Sequence, residues 1–150
     1  MNSNIFTGKI QFKGIFLGLE RAPAGVTLVR VVQYRNEISH QLARRQTIRQ
    51  FRAGLVSQAS ICDADFLLVT AGRYHGQPAS YPCPICESDQ LRIVLWVYGE
   101  EIGKAAGSAR SEEEIALLVA KAPQCTVHTV EVCPACKWNH LLKAETAMAS

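Results

Sequence analysis

Two short stretches, CPIC at residues 83–86 and CPAC at residues 133–136, set the expected architecture of this 150-residue chain. In each stretch a tight turn offers two thiols, and the proline restricts the backbone between them. Structural zinc sites use four ligands in a tetrahedron, and thiolates bind the ion at about 2.3 Å. The two stretches together therefore predict one structural Zn²⁺ site with the ligands Cys83, Cys86, Cys133 and Cys136.

Paired cysteines have two other uses, a redox-active pair and a disulfide staple. A thioredoxin-like redox motif has a single C-x-x-C that opens a helix. Here the motif occurs twice, and each copy lies beside a predicted strand. Four thiolates also leave no coordination position for water, so the predicted metal is structural rather than catalytic.

The residues around the two motifs predict a small antiparallel sheet. Alternating or β-branched stretches give three candidate strands at residues 91–98, 126–132 and 137–143. A capping box, Ser111 with Glu114, opens a helix that ends before Pro123. This order brings both cysteine motifs to the same end of the sheet. We expect an α+β fold in which a zinc-ribbon sheet carries an inserted helix at residues 111–122.

The first half of the chain predicts a long helix. No glycine or proline interrupts residues 26–51, apolar residues recur there at helical spacing, and Gly54 follows as a stop. Asp63 or Asp65 is expected to cap a short second helix that runs to about Gly72. The long basic N-terminal helix should pack on the sheet. The expected organisation is a poorly patterned extension (1–25), a helical arginine-rich segment (26–75), a zinc-ribbon-like domain (76–143) and a tail (144–150).

Positive charge is concentrated in the N-terminal third. Nine Lys or Arg against two Glu give residues 1–55 a formal charge of +7, whereas seven basic against eleven acidic residues give the remainder −4. Four arginines near the end of the predicted helix form a candidate surface for nucleic-acid phosphates or an acidic partner: Arg44, Arg45, Arg49 and Arg52. The alternative is a solvated helix face.

Composition indicates a folded protein without membrane segments. The chain is 48% hydrophobic and 19% charged, and no apolar run reaches the length of a transmembrane helix. The first 25 residues lack the apolar block of a signal peptide, so we expect a cytoplasmic protein with reduced cysteines. No phosphate-binding loop, nucleophile elbow or dinucleotide fingerprint is present, and we expect neither an enzyme nor a small-molecule substrate.

Other residues are weaker candidates. His140 could donate a hydrogen bond to a metal-bound thiolate, and Arg110 could hold an anion at the turn before the inserted helix. Cys62 with His75 and a nearby aspartate could form a second, partial metal site, although a buried thiol is the more common role. Cys125 and the nearby His128 should point to opposite faces of a strand. The aromatic residues Trp96, Tyr98 and Trp138 could stack on bases or pack in the core.

The segment from about Val31 to Lys143 resembles a family of uncharacterised actinobacterial proteins that is known only as a domain of unknown function. The resemblance lies in the arginine-rich helix, Cys62-Asp63-Ala64, His75-Gly76, the CPIC motif, Trp96-Val97-Tyr98-Gly99-Glu100, Gly107-Ser108-Ala109-Arg110, Val130-Glu131-Val132-Cys133 and Trp138-Asn139-His140-Leu141. It supplies no established activity. It implies that the four-cysteine site, the Gly107–Arg110 turn and the Trp138–Leu141 strand form one unit.

These observations favour a non-catalytic, zinc-stapled binding module. Its expected partner is nucleic acid or a nucleoprotein machine of transcription or translation, which the arginine-rich helix would contact. The alternatives are a protein–protein adaptor without affinity for nucleic acid and a redox-sensing thiol protein that releases zinc reversibly.

Overall fold

An antiparallel sheet of six strands forms the frame of residues 31–150, the part of the chain that this computed structural model describes. The strands lie in the order β1-β6-β5-β3-β2, and β4 also pairs with β3. Their bounds are β1 Val32–Ser39, β2 Gln77–Pro78, β3 Arg92–Tyr98, β4 Ser108–Ala109, β5 Gln124–Val132 and β6 Asn139–Ala149. The helices are α1 Gln41–Arg52, α2 Gln58–Ile61, α3 Phe66–His75 and α4 Glu112–Lys121, with a 3-10 helix at Glu100–Ala105. Within these residues no helix is long and apolar enough to cross a membrane.

The three strands predicted around the cysteine motifs form the middle of the sheet. β3 pairs with β5 from Arg92↔Val132 to Tyr98↔Thr126, and β5 pairs with β6 along its length. The second cysteine motif forms the turn of the β5–β6 hairpin, and the first precedes β3 at the same end. Mixed α and β structure on an antiparallel sheet is therefore confirmed, and so is the meeting of the two motifs.

Two helices cover opposite faces of the sheet. Because side chains alternate along a strand, Val94 and Val97 of β3 point to different faces. α4 packs Ile115 on the Val97 face, where the predicted capping box opens the helix. α3 packs on the Val94 face, and Asp65 caps it by accepting a hydrogen bond from the backbone N–H of Leu68.

A glycine sets how closely α3 approaches the sheet. A Cβ atom at Gly72 would lie 2.6 Å from Cγ1 of Val132, which is too close for any other residue unless the helix or the Val132 side chain shifts. The backbone of α3 therefore rests directly on the β5 side chain.

The predicted long helix is wrong in its first half. Val32–Ser39 is strand β1, which pairs with β6, and only Gln41–Arg52 is helical. The strand register shifts between Arg35 and Ile38, and Asn36 adopts a left-handed φ of 56°. This bulge breaks the alternation that marks a strand, so its apolar residues imitate helical spacing. Residues 26–30 and the predicted extension 1–25 lie outside the described residues.

The predicted tail is part of the sheet. β6 continues to Ala149, which pairs with Val32, and Ala147 is completely buried. Alanine-rich sequence carries little strand propensity, but here a strand on each side supplies backbone partners. Strand β1, from the segment expected to be helical (26–75), and strands from the expected zinc-ribbon-like domain (76–143) therefore belong to one sheet.

Candidate metal centre

The two cysteine motifs fold into loops of the same form. In the first, the backbone N–H of Glu87 donates to the carbonyl of Cys83 at 2.9 Å. In the second, Lys137 donates in the same way to Cys133 at 2.8 Å. Glu87 and Lys137 both have positive φ values, 64° and 73°, so each loop turns back directly after its second cysteine. The loops present two matched pairs of thiols to one another.

The four thiols converge on one point. Their Sγ atoms lie within 4.8 Å of one another, and the distances between loops are 3.7 Å for Cys83–Cys136 and 3.7 Å for Cys86–Cys133. A disulfide would bring two sulfurs to about 2.05 Å, whereas all four cysteines here are free thiols. The arrangement can hold one metal ion with two ligands from each loop.

Thiols in this cluster differ in how readily they ionise. Burial raises the pKa of Cys83 to about 11 and also raises the pKa of Cys136. Burial acts in the same direction at the exposed Cys86, but hydrogen bonds from Ser88 N–H and the neighbouring thiols outweigh it and lower that pKa. A metal ion binds the thiolate forms and would overcome the cost of ionising the buried thiols.

Apolar side chains enclose the centre. Buried Ile48, Leu91 and Trp138 pack with Cys83 and Cys133 in one cluster. Because Ile48 belongs to α1, this helix forms part of the wall around the thiols. The arginine-bearing helix and the candidate metal site are therefore one structural unit.

A buried carboxylate that the sequence did not reveal ties this unit together. Glu131 is completely buried. Its Oε1 accepts hydrogen bonds from Arg44 Nε at 2.5 Å and Trp138 Nε1 at 2.8 Å, and its Oε2 accepts from the Tyr81 hydroxyl at 2.8 Å. Tyr81 precedes the first cysteine loop and Trp138 follows the second, so one side chain fastens both loops to α1. A buried charge requires this degree of pairing.

The predicted set of four arginines is divided by this contact. Arg44 points inward, and its guanidinium carbon also lies 5.4 Å from the centre of the Tyr81 ring. Arg45, Arg49 and Arg52 are exposed, and none of them forms an ion pair with any residue in the range 31–150. Three arginines, not four, therefore remain available on the outer face of α1.

Cys62 lies beside the centre as a fifth sulfur. Its Sγ is 3.7 Å from Sγ of Cys136. The predicted pairing of Cys62 with His75 does not form, since Cys62 precedes α3 and His75 is exposed at the far end of that helix. The chemistry near Cys62 is thus that of the cysteine loops.

The other candidates have structural contacts. His140 Nδ1 lies 2.8 Å from the carbonyl oxygen of Leu141, and its ring stacks on Trp138. Within residues 31–150 it forms no hydrogen bond to a cysteine thiol, in contrast to the prediction. Arg110 Nη1 donates to Glu114 at 3.0 Å and its Nε donates to the hydroxyl of Ser108 at 2.9 Å, so part of the guanidinium proposed for an anion is engaged within the turn.

Cys125 and His128 point to opposite faces of β5, as predicted. Cys125 is buried under α4, and His128 points to the other face, where its ring lies 4.8 Å from that of Tyr98. Trp138 is buried, as expected for core packing, whereas Trp96 is half-buried and Tyr98 is exposed.

Comparison with known proteins places this arrangement in a family. The model of a family of unknown function, DUF5318, matches residues 31–147. The chain belongs to this family. It is 41% identical over 107 residues to the uncharacterized proteins Rv0049 of Mycobacterium tuberculosis strain H37Rv and Mb0050 of Mycobacterium bovis, covering 71% of this chain and 78% of each relative. No solved structure matches the chain. The resemblance inferred from the sequence motifs is confirmed, and the four-cysteine cluster lies within the matched residues.

Proposed function

We propose that this protein is a zinc-stapled, non-catalytic binding module that contacts nucleic acid through the outer face of α1. The observation that carries the proposal is the row of exposed arginines, without an ion pair among residues 31–150, on a helix that is built into the wall of the four-cysteine centre.

The sulfur spacing supports zinc. A tetrahedron with metal–sulfur bonds of about 2.3 Å has edges of about 3.8 Å, and the two inter-loop distances are 3.7 Å. Four thiolates form a closed shell with no position for water, which is typical of a structural ion. Bound zinc would contribute folding free energy on the order of 10 kcal/mol, and no catalytic role follows from such a site.

The rotation of α1 supports the contact surface. Arg44, Ile48 and Phe51 lie on one side of the helix, where Arg44 and Ile48 are fixed by the core. Each exposed arginine directly follows one of these three residues, at positions 45, 49 and 52. The arginines therefore share a neighbouring side of the helix, about 100° further around its axis. They span about 10 Å along the helix axis, which is enough to reach two or three phosphates of a strand. Arginine suits this role because its planar fork matches phosphate oxygens.

A protein–protein adaptor is the second candidate. Three apolar residues on the outer side of α3 favour it, since Phe66, Leu67 and Tyr74 are 79%, 67% and 77% exposed. Exposed apolar clusters often mark protein contacts. This function would be independent of nucleic acid and would not require the arginines of α1.

The test is a salt titration of binding to fluorescently labelled single-stranded RNA and duplex DNA, measured by anisotropy. The double variant R45Q/R49Q should bind at least about tenfold more weakly and lower the slope of log affinity against log salt by about two. R35Q/R73Q is the matched control, because it removes two other exposed arginines and leaves the same net charge. Equal weakening by both pairs, or no binding by the wild type, contradicts the nucleic-acid proposal.

The zinc assignment is tested by elemental analysis of the purified protein. One zinc per chain that is lost on chelation, together with the cooperative unfolding transition, is the expected result. Protein that unfolds cooperatively without bound metal contradicts the assignment.

A further inference from the structure

The position of Cys62 is not explained by a four-ligand metal site. Four thiolates complete a tetrahedral shell, so Cys62 is left outside it while its sulfur touches one corner, Cys136, at 3.7 Å. Its side chain is partly exposed. The chain thus places a free thiol directly against a metal-binding one.

Cys62 is held there by its neighbours. The backbone N–H of Ala64 donates to the carbonyl of Lys137 at 3.0 Å, and Asp63 Oδ1 accepts from Asn139 Nδ2 at 3.0 Å. Lys137 follows Cys136 directly, and Asn139 is the first residue of β6, where the second cysteine loop ends. The segment that carries Cys62 is therefore attached to the loop that carries Cys136, which holds the two sulfurs side by side.

We propose that Cys62 is a resolving thiol, which forms a reversible disulfide with Cys136 when the protein meets a hydroperoxide and so opens one corner of the metal site. The inference rests on the proposed zinc site, but not on nucleic-acid binding. It assigns to Cys62 a role beyond filling space in the wall of the centre.

The reaction balances with hydrogen peroxide as the two-electron oxidant. The Cys136 thiolate attacks one peroxide oxygen and is lost as a metal ligand, the O–O bond breaks, and the products are a sulfenic acid and a hydroxide that takes a proton from solvent to become water. The Cys62 sulfur then attacks the sulfenic sulfur, an S–S bond forms, and the hydroxyl leaves with the Cys62 proton as a second water. In total one thiolate, one thiol, one peroxide and one proton give a disulfide and two waters. A small thiol reductant reverses the reaction by disulfide exchange.

The choice of partner decides how much of the metal site is lost. Cys83–Cys136 and Cys86–Cys133 are also 3.7 Å apart, but a disulfide in either pair removes two ligands. A Cys62–Cys136 disulfide removes one ligand and leaves three thiolates, with one coordination position open. With Cys62 as the partner of Cys136, the first oxidation in the wild type should weaken zinc binding without releasing the ion.

Native mass spectrometry of the full-length, zinc-loaded protein tests this inference during titration with hydrogen peroxide. In the wild type, the first species that has lost two hydrogens should still carry one zinc, and peptide mapping should find Cys62 joined to Cys136. In Cys62→Ser, the first disulfide must join two ligands, so that species should lack zinc. The matched control is Cys125→Ser, which changes a buried thiol away from the cluster and should behave as the wild type.

The outcomes separate the two proposals. Protein without zinc before oxidation contradicts the metal assignment, and the inference about Cys62 is then wrong as well. A zinc-loaded wild type whose first disulfide omits Cys62, or whose first oxidised species has already lost zinc, contradicts the inference alone. The wild-type map gives this answer even if Cys62→Ser folds poorly.

Discussion

Replacing Arg44 with methionine should leave the carboxylate of Glu131 buried without its cation. Removing one partner of a buried ion pair costs about 3–5 kcal/mol. The Arg44 side chain is 15% exposed in the wild type, so the pair is not completely shielded from solvent. In the variant, Tyr81 and Trp138 can still donate hydrogen bonds to Glu131. We therefore expect the lower end of that range, a loss of about 3 kcal/mol in the free energy of unfolding.

The sign of a second substitution gives a sharper test. Glu131→Gln alone leaves Arg44 without a counter-charge but keeps an acceptor for Arg44 or Trp138, and Arg44 retains some contact with solvent, so the change should cost about 2 kcal/mol. In the Arg44→Met background the same change removes an unpaired buried charge, and it should increase stability. One substitution is thus expected to destabilise the wild type and to stabilise the variant.

Urea unfolding followed by tryptophan fluorescence measures these differences, since Trp138 lies in the affected cluster. Zinc content must be equal in all variants, so that loss of metal is not mistaken for loss of the ion pair. Arg45→Met is the matched control, because Arg45 is exposed and unpaired within residues 31–150, and it should change stability by no more than about 0.5 kcal/mol. If Arg44→Met equals this control, or if Glu131→Gln lowers the stability of the Arg44→Met protein further, the buried pair does not have the assigned role.

Three further predictions concern the metal, the sheet contact and pH. Cys83→Ser leaves three thiolates, so it should weaken zinc binding and lower the free energy of unfolding, as measured by chelator competition and by urea unfolding followed by circular dichroism; unchanged metal affinity with an unchanged transition would contradict this. Gly72→Ala should cost about 2 kcal/mol in urea unfolding by clashing with Val132, and Val132→Ala should offset part of that loss; strictly additive losses would rule out the clash. Burial, and then the charge of His40, lower the pKa of His128 below 6.5, so the unfolded chain binds this proton more readily and stability falls as the pH drops below 6.5. His128→Gln should reduce that fall below about pH 6.5, and an equal pH slope in both proteins would contradict this role of His128.

The parts of the structure that could be predicted from sequence depend on short-range chemistry. The spacing of the CPIC and CPAC motifs is enough to predict two ligand pairs. Ser111 and Glu114 predict the start of α4 because a capping box is satisfied within one turn. Strands β3 and β5 could be predicted because their alternating or β-branched residues match the two-residue repeat of a strand.

The parts that were missed depend on distant partners. β1 is a strand because β6 supplies its hydrogen bonds, and the bulge after Arg35 conceals its alternation. Glu131 and Arg44 are 87 positions apart, and a glutamate between two valines is typical of a solvated strand face. Arg44 belongs to the same arginine-rich run as Arg45, so only its contact with Glu131 distinguishes the two.

The place of β6 in the sheet has a consequence for how the protein is made. β6 is the last described strand along the chain, yet it lies between β1 and β5. During synthesis from the N-terminus, β1 therefore waits for its partner until nearly all of residues 31–150 exist. Cys136 is made before β6 begins at Asn139, so the metal site can assemble first and the sheet closes last. A nascent or truncated chain that ends before Asn139 would expose two unpaired strand edges at once, and such edges promote aggregation.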